Sequence, residues 1–279
     1  MPANKPPPPA AYSAAWKPHP QARGRTAARV ADRIVKQDGR DKQGSLQAFH
    51  VLPETPCPYL PGRFERKLFT DLTGPRARRL YDVLSQAGFR RSHRFAYRPA
   101  CTACQACQPV RIRVGDFQPG STLRRIWRRN QDLLVEERPA RATLEQYRLF
   151  DRYIETRHGD GDMAAMTLAD YQAMVEETVL DTRLVELRLP QGRLVATALI
   201  DWLEDGPSAV YSFFAPEMAD RSLGSQVILW LAEEALRRQM PHVYLGYFIA
   251  ETRKMAYKAR FRPLEALGPH GWRELVPAR

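Results

Sequence analysis

Between Leu184 and Phe214, three stretches suited to extended backbone are separated by two tight turns, and this pattern narrows the fold more than any other feature. The stretches are Leu184 to Leu189, Leu194 to Leu203 and Ala209 to Phe214. Gln191-Gly192 and Glu204-Asp205-Gly206-Pro207 supply the turns, so the segment reads as an antiparallel strand meander. Ser222 then caps a helix running to about Gln239, with Leu223, Val227, Leu231 and Leu236 along one face. His242 to Tyr247 forms a further strand, and a helix and a final strand follow.

Three antiparallel strands, helix, strand, helix, strand is the order of an N-acetyltransferase-like α/β (α+β) fold with a mixed sheet, whose acyl donor lies where two strands splay. Upstream, helical patterns cover Leu123 to Leu134 and Leu144 to Thr156, the second with Tyr147, Phe150 and Ile154 at helical spacing. Before them, a helix from Arg76 to Gln86 stops at Gly88, and strands are expected over Phe89 to Arg98 and Val110 to Val114. Residues 1–46 begin with Pro2 and Pro6 to Pro9, stay basic and Ala-rich, and read as a disordered tail or an Arg-rich transit peptide. The expected organisation is therefore a tail over 1–46, a small cysteine-containing unit over 47–120 and an N-acetyltransferase-like domain over 121–279.

Net charge is +12, unevenly spread. Residues 1–50 hold nine Lys/Arg against three acids and residues 51–130 sixteen against five, so the remainder is net acidic. A positive field confined to the first half suits a polyanion such as nucleic acid, bound through phosphate contacts and counterion release. No apolar stretch approaches the ~20 residues that span a bilayer, and no secretory h-region opens the chain. The expected location is the cytoplasm.

All four cysteines fall in the small unit. Cys57 lies in Thr55-Pro56-Cys57-Pro58-Tyr59-Leu60-Pro61-Gly62, and Cys101, Cys104 and Cys107 make two consecutive C-x2-C spacings. Such loops bring thiolates onto one soft cation, so the four are candidate ligands for zinc or an iron-sulfur cluster. Inert buried thiols are the alternative. Leu60 stands where a C-x2-C partner for Cys57 would be, which departs from a paired ribbon.

Cys57-Pro58-Tyr59-Leu60-Pro61-Gly62-Arg63, Gly88-Phe89-Arg90-Arg91-Ser92 and Tyr97-Arg98-Pro99, followed by the cysteines, resemble the arginyl-tRNA-protein transferase family. So do Tyr244-Leu245-Gly246-Tyr247-Phe248-Ile249 and the run Lys254-Met255-Ala256-Tyr257-Lys258-Ala259-Arg260-Phe261-Arg262-Pro263-Leu264-Glu265. The likeness extends from about residue 45 to 270 and is nearest the bacterial branch. It implies transfer of leucine from leucyl-tRNA to proteins beginning with Asp or Glu, which marks them for degradation, and action beside a protease adaptor. Eukaryotic members transfer arginine and carry an iron-sulfur cluster, so the resemblance also implies a cluster on Cys57, Cys104 and Cys101 or Cys107.

An aminoacyl ester is already activated and an α-amino group ionises near ~8, so neither a covalent nucleophile nor a cofactor is required for transfer. Holding amine and ester together and stabilising the oxyanion would do most of the work. Tyr211 and Tyr247 would border the cleft as hydroxyl donors or proton relays, and Asp201 would orient the incoming ammonium or accept its proton. An acidic first residue calls for a guanidinium fork, for which Arg98 and Arg111 are the first candidates and Arg262 the next. Arg124, Arg125, Arg128 and Arg129, with Trp127 among them, offer tRNA phosphate contacts and a stacking surface.

Two other readings compete. Arg221-Ser222-Leu223-Gly224-Ser225 opens a helix as a pyrophosphate loop does, which suits an acyl-CoA-dependent N-acetyltransferase. A basic RNA-binding protein with a metal knuckle would explain the first half and leave the second without a role.

Overall fold

The computed structural model describes residues 47–158, 162–252 and 254–276. The expected tail over 1–46 lies outside the described residues. Two sheets dominate. The smaller has the antiparallel order β1-β4-β6-β5, from β1 (His50–Val51), β4 (Lys67–Asp71), β5 (Arg90–Ser92) and β6 (Phe95–Pro99). A minimal ribbon pairs β2 (Thr55–Pro56) with β3 (Phe64–Glu65).

The larger sheet has eight strands in the order β14-β13-β7-β12-β11-β10-β9-β8. They are β7 (Gln108–Arg113), β8 (Leu134–Pro139), β9 (Thr182–Arg188), β10 (Leu194–Leu203), β11 (Gly206–Phe214), β12 (His242–Phe248), β13 (Leu264–Gly268) and β14 (Gly271–Glu274). The expected meander is β9, β10 and β11. All ten residues of β10 are buried, as a near-continuous apolar strand covered on both faces must be.

Among the described residues, five α-helices pack around these sheets: α1 (Ala77–Gln86), α2 (Ser121–Arg129), α3 (Leu144–His158), α4 (Leu168–Glu176) and α5 (Leu223–Arg237). α5 buries residues around most of its circumference, Val227, Leu229, Trp230 and Leu231 among them, so it is a core helix and carries β11 across to β12. The mixed α/β architecture of an acyltransferase-like fold is therefore present. Among the described residues, no helix is long and apolar enough to cross a membrane.

Several local expectations are corrected. Phe89 to Arg98 is two strands, because His93 adopts φ 51° and turns the chain between β5 and β6. The helix expected to reach Leu134 stops at Arg129, where Asn130 donates its side-chain amide to the Ile126 carbonyl, and Leu134 opens β8. Ser222 does not cap α5 with its side chain; it takes a left-handed conformation there, φ 53°. The last helix is only a 3-10 turn, Ala256–Arg260, followed by a two-strand hairpin. β7, drawn from before residue 120, lies between β12 and β13, so the large sheet incorporates that segment.

Candidate active site

β11 and β12 are the one parallel pair of the large sheet, and they share a single register pair, Ser208 with Tyr244. Beyond it the strands part. A loss of ladder bonds leaves backbone oxygens that need partners, and two basic side chains supply them. Arg90 donates from Nη1 to the Ser208 hydroxyl at 3.0 Å and from Nη2 to the Ala209 carbonyl. Lys258 donates from Nζ to the Tyr247 carbonyl at 2.6 Å.

Arg90 also lies against β12. Gly246 has φ +79°, and a Cβ built there would stand 3.0 Å from Arg90 Nε. A side chain at this position would both strain the backbone and displace the guanidinium. The small sheet thus inserts one arginine where the large sheet opens.

Three phenols gather on the open side. Burial raises the Tyr211 phenol well above its ordinary range, and the neighbouring Tyr153 raises it further. Tyr257 is pushed up to about 12, chiefly by burial, then by Tyr153, with Arg90 opposing. The Tyr211 and Tyr257 hydroxyls have no hydrogen-bond partner among the described residues. Tyr153 of α3 packs edge-on to Phe214, with ring centroids 4.9 Å apart, and Arg157 lies over the same Phe214 ring. A half-buried aromatic cluster with unspent donors, where β11 and β12 part, suits a ligand that is flat, polar or both.

Tyr211 reaches this group from β11. The Tyr247 hydroxyl is engaged elsewhere. It lies 3.0 Å from the Gly88 carbonyl and 3.2 Å from the Tyr97 carbonyl, so its proton is committed to tying β12 to the small sheet.

Asp201 is turned away from the cleft altogether. Its carboxylate is fully buried, accepting from Arg91 Nε at 2.7 Å, Arg91 Nη2 at 3.0 Å and Thr182 Oγ1 at 2.7 Å. No acceptor capacity faces an incoming ammonium. Arg111 is spent in the same way: Nε pairs with Glu265 Oε2 at 2.8 Å, and the guanidinium lies 4.3 Å from the Trp272 ring centre. It is structural and cannot grip a substrate carboxylate. Arg98 and Arg262 remain exposed, held loosely by the Ala87 and Ala259 carbonyls.

On α2, Arg124, Arg125, Arg128 and Arg129 all face solvent. Arg129 is drawn to Asp220, and Arg124 bonds the Pro119 carbonyl. Trp127 is buried in the core beside Leu123 and Ile126, so it offers no stacking surface.

The cysteine loop does not make a ligand set. Among the described residues, no three or more His, Cys, Asp or Glu side chains are grouped to hold a metal. The thiols have other partners. Arg63 donates to Cys104 Sγ at 3.2 Å, and Cys101 Sγ accepts from the Arg66 amide at 3.5 Å. The Ala106 amide and then Arg63 hold the Cys104 thiol below its usual range, while burial and the thiols of Cys101, Cys57 and Cys104 push Cys107 up to about 11. Among the described residues, nothing therefore supports zinc or an iron-sulfur cluster on Cys57, Cys101, Cys104 and Cys107.

Arg90, Lys258, Tyr153 and Tyr257 were not singled out from sequence. Tyr257 and Lys258 lay inside the carboxy-terminal motif, and Arg90 inside the Gly88 to Ser92 motif. A lysine between apolar neighbours, Met255-Ala256-Tyr257-Lys258-Ala259, was the available signal.

The model for the arginine-tRNA-protein transferase C terminus matches residues 145–268, and that for the N terminus matches residues 55–125. Aspartate/glutamate leucyltransferase of Paramagnetospirillum magneticum is 55% identical over 229 residues, covering 82% of this chain and 94% of that protein. The protein of the same name from Rhodospirillum rubrum is 53% identical over 234 residues, covering 82% of this chain and 95% of that one. Among solved structures, the chain is similar to L-PGS from Bacillus licheniformis, with a TM-score of 0.45, 12% identity and 57% of each chain covered.

Proposed function

The chain belongs to the arginine-tRNA-protein transferase family and is an aminoacyl-tRNA-protein transferase; we propose that it transfers leucine from leucyl-tRNA to the α-amino group of cytosolic proteins beginning with Asp or Glu. The observation that carries the donor and the acceptors is the 55% identity, over 82% of the chain, to a protein named for that reaction. Addition of leucine would tag such proteins for degradation.

The chemistry needs no cofactor. The acceptor nitrogen attacks the ester carbonyl, a C–N bond forms, and the C–O bond to the terminal ribose breaks. Tyr211, whose hydroxyl makes no hydrogen bond among the described residues, would donate to the oxyanion that forms on the carbonyl. Its high pKa keeps the phenol protonated throughout the physiological range, as a donor requires.

Capped carbonyls at Ala209 and Tyr247 disfavour the acyl-CoA reading. A pantetheine arm lying in a splay would pair with strand-edge oxygens, and Arg90 and Lys258 already occupy those two. The exposed Arg98 and Arg262 are the remaining candidates for the acceptor's side-chain carboxylate. Arg124, Arg125 and Arg128 would meet tRNA phosphates.

Peptides beginning with Asp, Glu or Ala, incubated with the protein and leucyl-tRNA, test the reading by product mass. Leucine on the Asp and Glu peptides alone is the expected result, and equal leucylation of the Ala peptide would overturn the acceptor assignment.

A further inference from the structure

Lys258 is nine-tenths buried, and no carboxylate pairs with it among the described residues. Lysines are rarely buried unless paired, since moving an ammonium out of water costs several kcal/mol. Its neighbours make a charged form worse. Arg90 is the cation facing it from β5; Tyr257, one residue before it, and Tyr247 of β12 bring phenols, neither of which ionises near neutral pH. Desolvation and then Arg90 lower the Lys258 amine to about 7. Among the described residues, the one hydrogen bond that Nζ makes is to the Tyr247 carbonyl, on β12, where it parts from β11.

A purely structural cap on that carbonyl would be served by a neutral donor at lower cost. A buried amine that trades its proton easily is better suited to moving one. Asp201 is locked to Arg91, and Tyr211 and Tyr257 ionise too high to act as bases. Lys258 is therefore the group beside the cleft matched to an α-amino nitrogen of pKa near ~8.

We propose that Lys258 is the proton acceptor of the transfer: its Nζ takes the proton shed by the acceptor's α-amino nitrogen as the C–N bond forms, and returns it to the ribose oxygen as the C–O bond breaks. The acceptor starts as an ammonium and ends as an amide. One of its protons goes to solvent before attack, and the second passes through Lys258 to the leaving oxygen. The proposal rests on the aminoacyl-transfer reading above.

Single-turnover rates with an Asp peptide, measured from about pH 5.5 to 8.5 with leucyl-tRNA and in parallel with arginyl-tRNA, test it on the wild type, Lys258→Met and Lys258→Arg. The wild-type rate should rise through two ionisations, one near 7 from Lys258 and one near ~8 from the peptide amine. Lys258→Met, assayed well below its Tm and per folded molecule, should be slower by roughly 10²–10⁴ and keep only the amine's ionisation. Lys258→Arg, permanently charged, should be equally slow. An unchanged pH profile in Lys258→Met, a rate within about threefold of the wild type, or a wild-type rate that falls as pH rises through 7 would overturn the proposal. Product from arginyl-tRNA alone would overturn the leucine donor while the pH comparison still decides Lys258, and no product from either donor would overturn both.

Discussion

Replacing Asp201 should destabilise the fold rather than disable the chemistry. Its carboxylate receives both prongs of the Arg91 fork and the Thr182 hydroxyl, with side-chain exposures of 1% for Arg91 and 0% for Asp201. Arg91 belongs to β5 and Asp201 to β10, so the pair joins the small sheet to the large one. Removing one partner of a buried pair strands the other charge and costs about 3–5 kcal/mol. For a folded region of this size each kcal/mol lowers Tm by roughly 2–4 °C, so Asp201→Asn should melt about 6–20 °C below the wild type. Scanning calorimetry gives the Tm, and leucyl transfer assayed well below it should proceed at near wild-type rate per folded molecule. Replacing both partners, Arg91→Met with Asp201→Leu, should recover at least half of the lost stability, since no charge is then left alone. An unchanged Tm with transfer abolished in Asp201→Asn would refute this account and return Asp201 to the chemistry.

Tyr211→Phe should slow transfer by about 10–100-fold with Tm unchanged, because no hydrogen bond of the fold is removed. Tyr247→Phe should do the reverse, costing about 1 kcal/mol of stability by removing the tie to the Gly88 and Tyr97 carbonyls. Joint replacement of Arg125 and Arg128 by alanine should weaken tRNA binding and reduce the slope of log affinity against log salt by about one unit for each phosphate no longer neutralised; titrations at three salt concentrations would show it. Alkylation mapped by mass spectrometry near pH 7.5 should label Cys104 first, because its lowered pKa gives more thiolate, and Cys107 last. Arg63→Ala should slow the Cys104 reaction selectively.

The meander was legible because its signals are local. Their apolar runs, the Gln191-Gly192 turn and the Asp205-Gly206 turn fix β9, β10 and β11 within a few residues of where they lie. The place of β7 was not, because its partners, Gly246 and Ala266 opposite Val110, are far along the chain and leave no mark near it. The same distance misled the reading of Asp201 and Arg111. Asp201 was read as a partner for the incoming ammonium and Arg111 as a grip on the acceptor's carboxylate, but the partners that neutralise them stand 110 and 154 residues away. The strand that carries Tyr211 was legible because strand order alone gives β11. Lys258 was not, because its burial depends on Tyr247 and Arg90 meeting it from two other elements.

The central claim is tested most directly by competition in one vessel: leucyl-tRNA, arginyl-tRNA and acetyl-CoA at equal concentration with an Asp-initiated peptide, read by product mass. The account expects leucine, and only leucine, on the peptide's amino terminus. An acetylated or arginylated product in its place would contradict it.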